Sequence, residues 1–151
     1  EKISRKKRNV ILTWVQREYR NLMMARDAQV NVPLPITFSN NVLVLEFVGK
    51  GDEIAPKMKD KVPKNKKEFF NKIVQNMRKL YKARLVHADL SGFNILNFNE
   101  TPVFIDMSQT TTLEHPQAEE FLERDVKNIA NFFNKRGLAV KEESIIKKIK
   151  Q

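Results

Sequence analysis

The sequence has no cysteine, only two histidines and only four glycines among its 151 residues. Without cysteine the chain cannot form a disulfide scaffold, a thiolate zinc site or a cysteine nucleophile, and two histidines are too few for a His-rich metal centre. No stretch approaches the roughly 18 consecutive apolar residues of a membrane-spanning helix, and the charged residues 1–9 lack the apolar core of a signal peptide. We therefore expect a soluble, cytoplasmic protein with no membrane partner.

Positive charge is what the sequence has in excess: 28 lysines and arginines stand against 18 aspartates and glutamates, for a formal net charge of +10. This balance favours anionic partners such as RNA, the ribosome or nucleotide phosphates. Basic residues cluster at residues 57–67 and at residues 2–8, which we expect to form a solvated arm leading into a helix. A charge run is more often a solvated face than a binding site, so these clusters alone do not identify a partner.

The apolar pattern predicts an α+β fold built on a chain whose length fits one domain or the larger piece of one. Apolar residues recur three to four positions apart in four segments, which predicts amphipathic helices. These helices are expected at residues 4–28, 65–82, 116–135 and 142–150.

Short β-prone runs predict strands between the helices. They lie at residues 36–39, 42–47, 85–88, 95–98 and 103–105. The first two should form a hairpin, because Asn40 and Asn41 between them tolerate the positive φ of a tight turn. Residues 48–63 contain two glycines and two prolines and are expected to form an irregular connection.

Three polar residues that lie between apolar runs are the candidate functional residues: Asp89, Asn94 and Asp106. A His-x-Asp motif, here His87 to Asp89, with Asn five residues later and a further Asp after an apolar strand is the catalytic-loop pattern of kinase-like phosphotransferases. Asp89 would accept the proton of the attacking hydroxyl, and Asn94 and Asp106 would hold magnesium against the phosphates. His87 is expected to brace the loop. Asp and Asn also stabilise ordinary turns, but the combined spacing favours the functional interpretation.

The segment before residue 50 resembles the end of a kinase small lobe. Residues 43–49 look like a strand running into a hinge, where backbone groups of Glu46 and Val48 would bond an adenine edge. Leu45 would gate the nucleotide pocket and Leu96 would lie beneath the base. Glu18, on the first helix, could pair with a lysine that positions phosphates. The alternatives are a plain antiparallel hairpin and a solvated helical glutamate.

These motifs resemble the RIO family of atypical protein kinases, and specifically its type-one branch. The stretches that carry the resemblance are residues 14–22, 32–35, 43–49, 55–59, 85–96, 104–109, 115–116 and 120–129. Ser91 stands where ordinary protein kinases have lysine, as it does in the RIO family. Gly92-Phe93 replaces a more usual Glu-Tyr pair, and Leu45 a more usual methionine.

The resemblance implies a protein-kinase-like α+β fold, with residues 1–48 as the remainder of the small lobe and residues 49–151 as the large lobe. It implies a serine/threonine protein kinase or ATPase that uses ATP with Mg²⁺ or Mn²⁺ and takes part in maturation of the small ribosomal subunit, with the pre-ribosomal subunit or its rRNA as a partner. Asp89 would be the general base, and Asn94 and Asp106 the metal ligands. Asp106 would also accept phosphate transiently.

The phosphate-covering loop and the lysine partner of Glu18 are expected before the first helix, where the sequence has no glycine. Lys2, Lys6 and Lys7 lie in a charged arm without a strand pattern. We therefore expect a fragment that lacks the first small-lobe strands, binds nucleotide weakly and turns over little. The hairpin of residues 36–47 would then present an open edge that could pair with a second copy.

Two alternatives remain open from the residues alone. A small-molecule kinase of the aminoglycoside or choline type uses the same His-x-Asp, Asn and Asp pattern. Ser108 and Gln109 after Asp106, together with residues 121–126, favour the RIO family. The second alternative is a non-catalytic module that binds rRNA or the ribosome through the basic clusters.

Overall fold

The computed structural model describes residues 4–151. Four helices lie at α1 (Arg5–Asp27), α2 (Lys66–Lys82), α3 (Ala118–Asn134) and α4 (Glu142–Lys150). The strands are β1 (Pro35–Ser39), β2 (Val42–Leu45), β3 (Gly49–Lys50), β4 (Glu53–Ile54), β5 (Leu85–Val86), β6 (Ile95–Phe98), β7 (Thr101–Phe104) and β8 (Thr111–Thr112). The α+β class is confirmed. No helix within residues 4–151 is long and apolar enough to cross a membrane.

Helix α1 begins at a serine cap and packs mainly through its second half. The Ser4 hydroxyl accepts a hydrogen bond from the Lys7 N–H at 3.3 Å, which satisfies one of the free donors at the helix start. Leu22 and Ala25 are buried, whereas Val10 and Trp14 in the first half are exposed. The helix is confirmed within one residue at each end, and the part of the basic arm at residues 2–3 lies outside the described residues.

The hairpin predicted around Asn40 is confirmed. Strands β1 and β2 pair antiparallel, and Asn40 has a φ of 53°, in the left-handed region that the turn requires. Strand β2 ends at Leu45 and not at residue 47. The connection predicted as irregular contains a second, two-residue ribbon, β3 with β4, that turns at Gly51 with a φ of 57°.

The main core lies between α2, α3 and α4. Helix α2 is capped by Asn65, whose side chain accepts from the Glu68 N–H at 3.1 Å, and it buries one apolar face as predicted. Phe70 of α2 meets Phe133 of α3 edge to face, with ring centroids 5.3 Å apart. This helical layer forms the base on which the loop of residues 87–94 rests.

The small strands position the polar motifs. Strands β6 and β7 form an antiparallel hairpin, so residues 87–94 lead into it and Asp106 follows it. Strand β8, which the sequence did not predict, pairs with β5 and closes the chain after Asp106 back onto the start of the loop. The third helix starts at Ala118, two residues later than predicted.

Candidate active site

The loop of residues 87–94 is fixed by a buried histidine. His87 is 2% exposed. Its Nε2 lies 2.9 Å from the Ile105 carbonyl oxygen and its Nδ1 accepts the Asp89 N–H at 3.1 Å. Both contacts fit a neutral ring protonated at Nε2, and burial lowers the pKa of His87. The ring therefore joins the backbone of Asp89 to the residue that precedes Asp106.

Asn94 lies against Asp89. Its Nδ2 donates to the Asp89 carbonyl oxygen at 2.8 Å and to the Asp89 carboxylate oxygen Oδ2 at 3.2 Å. The Asn94 backbone carbonyl accepts the Ile105 N–H at 3.0 Å, which ties the loop to the end of β7. Because the amide nitrogen is engaged by Asp89, the Asn94 side-chain oxygen is the atom left for a cation.

Asp106 occupies a strained backbone position at the exit of β7. Its φ is 56°, a left-handed conformation that is uncommon for residues other than glycine. Ser108 Oγ donates to its carboxylate oxygen Oδ1 at 2.7 Å. The following residues are held from α1, since Asn21 Nδ2 donates to the carbonyl oxygens of Met107 at 2.8 Å and Thr110 at 3.2 Å.

Glu18 projects from α1 toward the same segment. It is half-buried and lies near the Met107 backbone. Burial and the nearby Asp106 charge both raise the pKa of Glu18. The four ion pairs found within residues 4–151 do not include it, and its expected pairing with a lysine stays a prediction.

Helix α3 braces the loop through residues whose roles the sequence analysis did not assign. The buried carboxylate of Asp125 accepts the Ala88 N–H and the Leu90 N–H, each at 2.9 Å. Arg124 donates to the Ala88 carbonyl oxygen at 2.6 Å, and Asn128 to that of Leu90 at 3.1 Å. These bonds clamp Ala88, whose φ is 71°, and thereby set the direction of the next residue, Asp89.

The signal that could have revealed this brace is Asp125 itself, an acid on the apolar stripe of an amphipathic helix. Its neighbours on the buried face are Leu122, Val126 and Ile129. Acids on such a stripe are rarely buried without a partner. Burial raises the pKa of Asp125 to about 7 even though two backbone donors oppose that shift.

The predicted hinge exposes backbone groups of the right kind for an adenine edge. The Glu46 N–H donates to the Leu34 carbonyl oxygen and the Val48 carbonyl accepts the Ala55 N–H, both at 2.9 Å. Among the described residues, no backbone bond engages the Glu46 carbonyl or the Val48 N–H. One free acceptor and one free donor two residues apart match the donor and acceptor of adenine.

The two apolar residues predicted around the base are already packed. Leu45 is half-buried against the main core, and Leu96 is 5% exposed in a small cluster with Ala55 and Val103. The hinge borders an open depression of about 470 Å³ that Glu46, Val48 and Val103 help to line, on the side of the β6–β7 turn. Leu96 therefore shares a cluster with Val48 of the hinge and has little of its surface open.

The donor set suits magnesium better than a tightly chelated metal. Within residues 4–151 there is no group of three acids or histidines close enough to hold a metal. Asn94 and Asp106 offer two oxygen donors from adjoining segments. Magnesium is commonly bound by one or two such ligands together with waters and substrate phosphates. The residues present fit that ion.

Comparisons with known proteins show the family of the chain. The RIO domain family matches residues 1–145. The chain is 39% identical over 150 residues to the RIO-type serine/threonine-protein kinase Rio1 of Thermoplasma acidophilum. This match covers 99% of this chain and 79% of that protein. It is 40% identical over 136 residues to human serine/threonine-protein kinase RIO1, covering 88% of this chain but 24% of the human one.

Solved structures give the same fold. The crystal structure of the Rio2 kinase from Chaetomium thermophilum has a TM-score of 0.80 at 22% identity, over 98% of this chain and 49% of that chain. Its ADP/Mg²⁺-phosphoaspartate complex has a TM-score of 0.78 at 25% identity, over 97% and 47% of the two chains. The lobe division at residue 48 stays a prediction, and the chain spans about half the length of these structures. The chain belongs to the RIO family of serine/threonine-protein kinases, and its relatives by sequence are type-one members.

Proposed function

We propose that this chain binds ATP with Mg²⁺ and transfers the γ-phosphoryl group to a serine or threonine hydroxyl, with Asp89 as the general base. The observation that carries the proposal is the contact of Asn94 with both the backbone oxygen and the carboxylate of Asp89. His87 ties the same residue to the segment of Asp106. The match to the RIO family favours this function over a small-molecule kinase.

The chemistry assigned to Asp89 follows from its contacts. Asn94 holds the carboxylate oxygen Oδ2, so Oδ1 is left to accept the proton of an attacking hydroxyl. Asp89 is exposed, which gives that hydroxyl access. Asn94 and Asp106 would hold Mg²⁺, which when bound neutralises charge on the phosphates. The Glu46 carbonyl and Val48 N–H would orient the adenine, and Leu45 and Leu96 would support it.

We further propose that Asp106 takes phosphate transiently in an ATPase cycle. Its carboxylate oxygen would attack the γ-phosphorus, the bond to the β-phosphate oxygen would break, ADP would leave, and water would later hydrolyse the acyl phosphate. The Rio2 complex with ADP/Mg²⁺-phosphoaspartate supports the idea, as does the exposure of the Asp106 carboxylate, whose Oδ1 accepts from Ser108 Oγ.

Three variants test the roles of Asp89 and Asp106, with ATP turnover and phosphate bound to protein as the measured quantities. Asp89→Asn should lower protein phosphorylation by about a hundredfold or more. Asp106→Asn should abolish the hydroxylamine-sensitive phosphate on the protein. Asp52→Asn, an exposed residue of the β3–β4 turn, is the matched control and should retain full turnover. An Asp89→Asn protein as active as the Asp52→Asn control would contradict the proposal.

We expect weak nucleotide binding, because the described residues hold the phosphates only through the large-lobe loops. Glu18 has no lysine partner among them. Isothermal titration with ATP and Mg²⁺ should give an affinity weaker than about 1 μM, which corresponds to about 8 kcal/mol. A submicromolar dissociation constant would refute this expectation.

A role in small ribosomal subunit maturation in the cytoplasm, with rRNA as a partner, is a further proposal. It is supported by the net charge of +10 and by an open depression of about 540 Å³ that Lys64, Lys66 and Arg136 help to line. Binding to small-subunit rRNA should weaken steeply as salt rises, because phosphate contacts release counterions. Absent or salt-insensitive binding would remove this partner.

Self-association through the β1–β2 hairpin is the remaining proposal, with a second copy of the chain as the partner. The hairpin is a two-stranded sheet, and Ile36, Val42 and Val44 are exposed on it. Exposed apolar strand edges pair readily. Val42→Lys should shift a concentration-dependent size-exclusion profile toward monomer, whereas the control Ile54→Lys on β4 should not. A wild-type chain that elutes as a monomer at all concentrations would overturn the proposal.

A further inference from the structure

An exposed phenylalanine, Phe93, lies in the same loop as the proposed general base, Asp89. Phe93 is 58% exposed and directly precedes Asn94. The turn that carries it is closed by Ser91, whose hydroxyl accepts the Phe93 N–H at 3.2 Å and whose carbonyl accepts the Asn94 N–H at 3.1 Å. These bonds fix the backbone of the turn, so Phe93 stays at the edge of the loop of residues 87–94 although its exposed side chain adds little to the hydrophobic core.

Two lysines from a neighbouring segment flank this ring. Lys57 Nζ lies 6.0 Å from the ring centroid and Lys59 Nζ lies 4.7 Å from it. Met58 between them is completely buried. The segment turns here, since the Lys57 carbonyl accepts the Asp60 N–H at 2.9 Å, and Lys57 is exposed while Lys59 is half-buried. We call Phe93, Lys57 and Lys59 the aromatic–lysine surface.

Backbone hydrogen bonds fix this segment to the catalytic loop. The Met58 N–H donates to the Ile95 carbonyl at 2.7 Å, and the Lys59 N–H donates to the Gly92 carbonyl at 3.2 Å. Gly92 allows the close approach, since a Cβ at this position would lie 3.1 Å from the Phe132 ring and 3.3 Å from the Lys59 Cβ. The lysines therefore cannot shift independently of the loop that holds Asp89.

The charge of the surface is small and local. Lys59 also pairs with Asp60 at 3.0 Å, so the two lysines and this acid sum to one positive charge. One face of the ring lies against the Lys59 ammonium. A site for single-stranded nucleic acid typically has a longer row of cationic side chains and an aromatic ring with a face free for base stacking. One or two acidic side chains with a short apolar neighbour match what is present.

We propose that the aromatic–lysine surface binds an acidic peptide segment next to the serine or threonine that is phosphorylated. The proposal rests on the proposed kinase function and names the substrate class of that site. Phe93 is four residues from Asp89 in a tight turn, so acidic residues within a few positions of the acceptor can reach it. Lys57 and Lys59 attract the carboxylates, and Phe93 contacts the apolar part of the peptide.

Equilibrium binding of labelled peptides, without nucleotide, tests the proposal. The two peptides are about ten residues long and share one serine and one apolar residue. The acidic peptide contains Asp and Glu where the neutral peptide contains Asn and Gln. The acidic peptide should bind wild-type protein about fivefold to tenfold more tightly, and Lys57→Ala with Lys59→Ala should remove most of that difference. Phe93→Ala should weaken the acidic peptide by about threefold.

The matched control is Lys147→Ala with Lys148→Ala, which removes the same charge from an exposed part of α4 and should preserve the preference. Equal binding of the two peptides, or equal losses in both double variants, overturns the proposal. So does a uridine oligonucleotide that binds more tightly than the acidic peptide and depends on Lys57 and Lys59, because the surface would then serve RNA. If the chain is not a kinase, the turnover assay with Asp89→Asn will show no activity to lose, but the peptide-binding comparison can still be made. The two proposals can therefore fail separately.

Discussion

Replacing Asp125 by alanine should destabilise the whole domain as well as the loop of residues 87–94. Its two carboxylate oxygens accept the Ala88 and Leu90 N–H groups at 2.9 Å each, and all three residues are buried. Asp125→Ala leaves both donors without a partner and without water. At about 1–3 kcal/mol for each of the two unsatisfied buried donors, the loss in the free energy of unfolding should be about 2–6 kcal/mol, a large share of the stability of a typical domain.

The pKa of Asp125 makes this loss depend on pH. Its pKa is raised to about 7 from an ordinary value of 3.8, so the folded chain binds a proton more tightly than the unfolded chain. The protonated side chain therefore contributes stability that is complete below about pH 4 and is lost as pH rises through about 7. Between about pH 5.5 and about pH 8 the difference between wild type and Asp125→Ala should shrink by about 2 kcal/mol.

Urea denaturation at the two pH values measures both effects. Glu123→Ala, an exposed acid on the same helix, is the control and should change stability by less than about 0.5 kcal/mol. Amide hydrogen exchange of Ala88 and Leu90 should accelerate in Asp125→Ala while that of α2 follows global unfolding. A variant within about 1 kcal/mol of wild type, or a difference that grows toward high pH, would refute the role assigned to Asp125.

Three further substitutions probe the remaining supports. His87→Phe should cost about 1–3 kcal/mol through the lost bonds to the loop. Since burial lowers the pKa of His87, wild type but not this variant should lose stability as pH falls below about 6.5. Asn21→Leu should cost about 1–3 kcal/mol in urea unfolding, because the Met107 and Thr110 carbonyls lose their donor. Glu100→Gln should weaken the start of α2, and melting at pH 7 should show a loss that shrinks toward acid pH, because backbone donors lower the pKa of Glu100.

Much of the fold could be predicted because its elements are locally encoded. Helix α2 follows from one apolar face and the Asn65 cap, and the hairpin from Asn40 in a turn between β-prone runs. Ribbons of two residues, such as β3 with β4, are too short for alternation to reveal. Strand β8 forms because β5 lies beside it, and such a partner distant in sequence leaves no local pattern.

The contact between Asp89 and Asn94 could be predicted from their spacing, while the residues that support the loop could not. Asp89 and Asn94 sit five residues apart in one loop, so their proximity is a local property of the sequence. Asp125 lies 37 residues beyond Ala88, and Asn21 lies 86 residues before Met107. Contacts across such separations depend on how helices dock, which periodicity does not specify. The first half of α1 shows the same limit, since Trp14 belongs to an apolar pattern yet is 61% exposed.

The two carboxylates to which we assign a role in phosphoryl transfer lie at or next to a non-glycine residue with a left-handed backbone conformation. Ala88 precedes Asp89 with a φ of 71°, and Asp106 itself has a φ of 56°. Such conformations cost roughly 1 kcal/mol or more and persist only where the surroundings enforce them. Asp125 enforces the first from α3, and Asn21 holds the residue after the second from α1. A glycine would adopt either conformation freely but would also leave it freely, so clamped non-glycine residues hold the backbone at Asp89 and at Asp106 in one conformation.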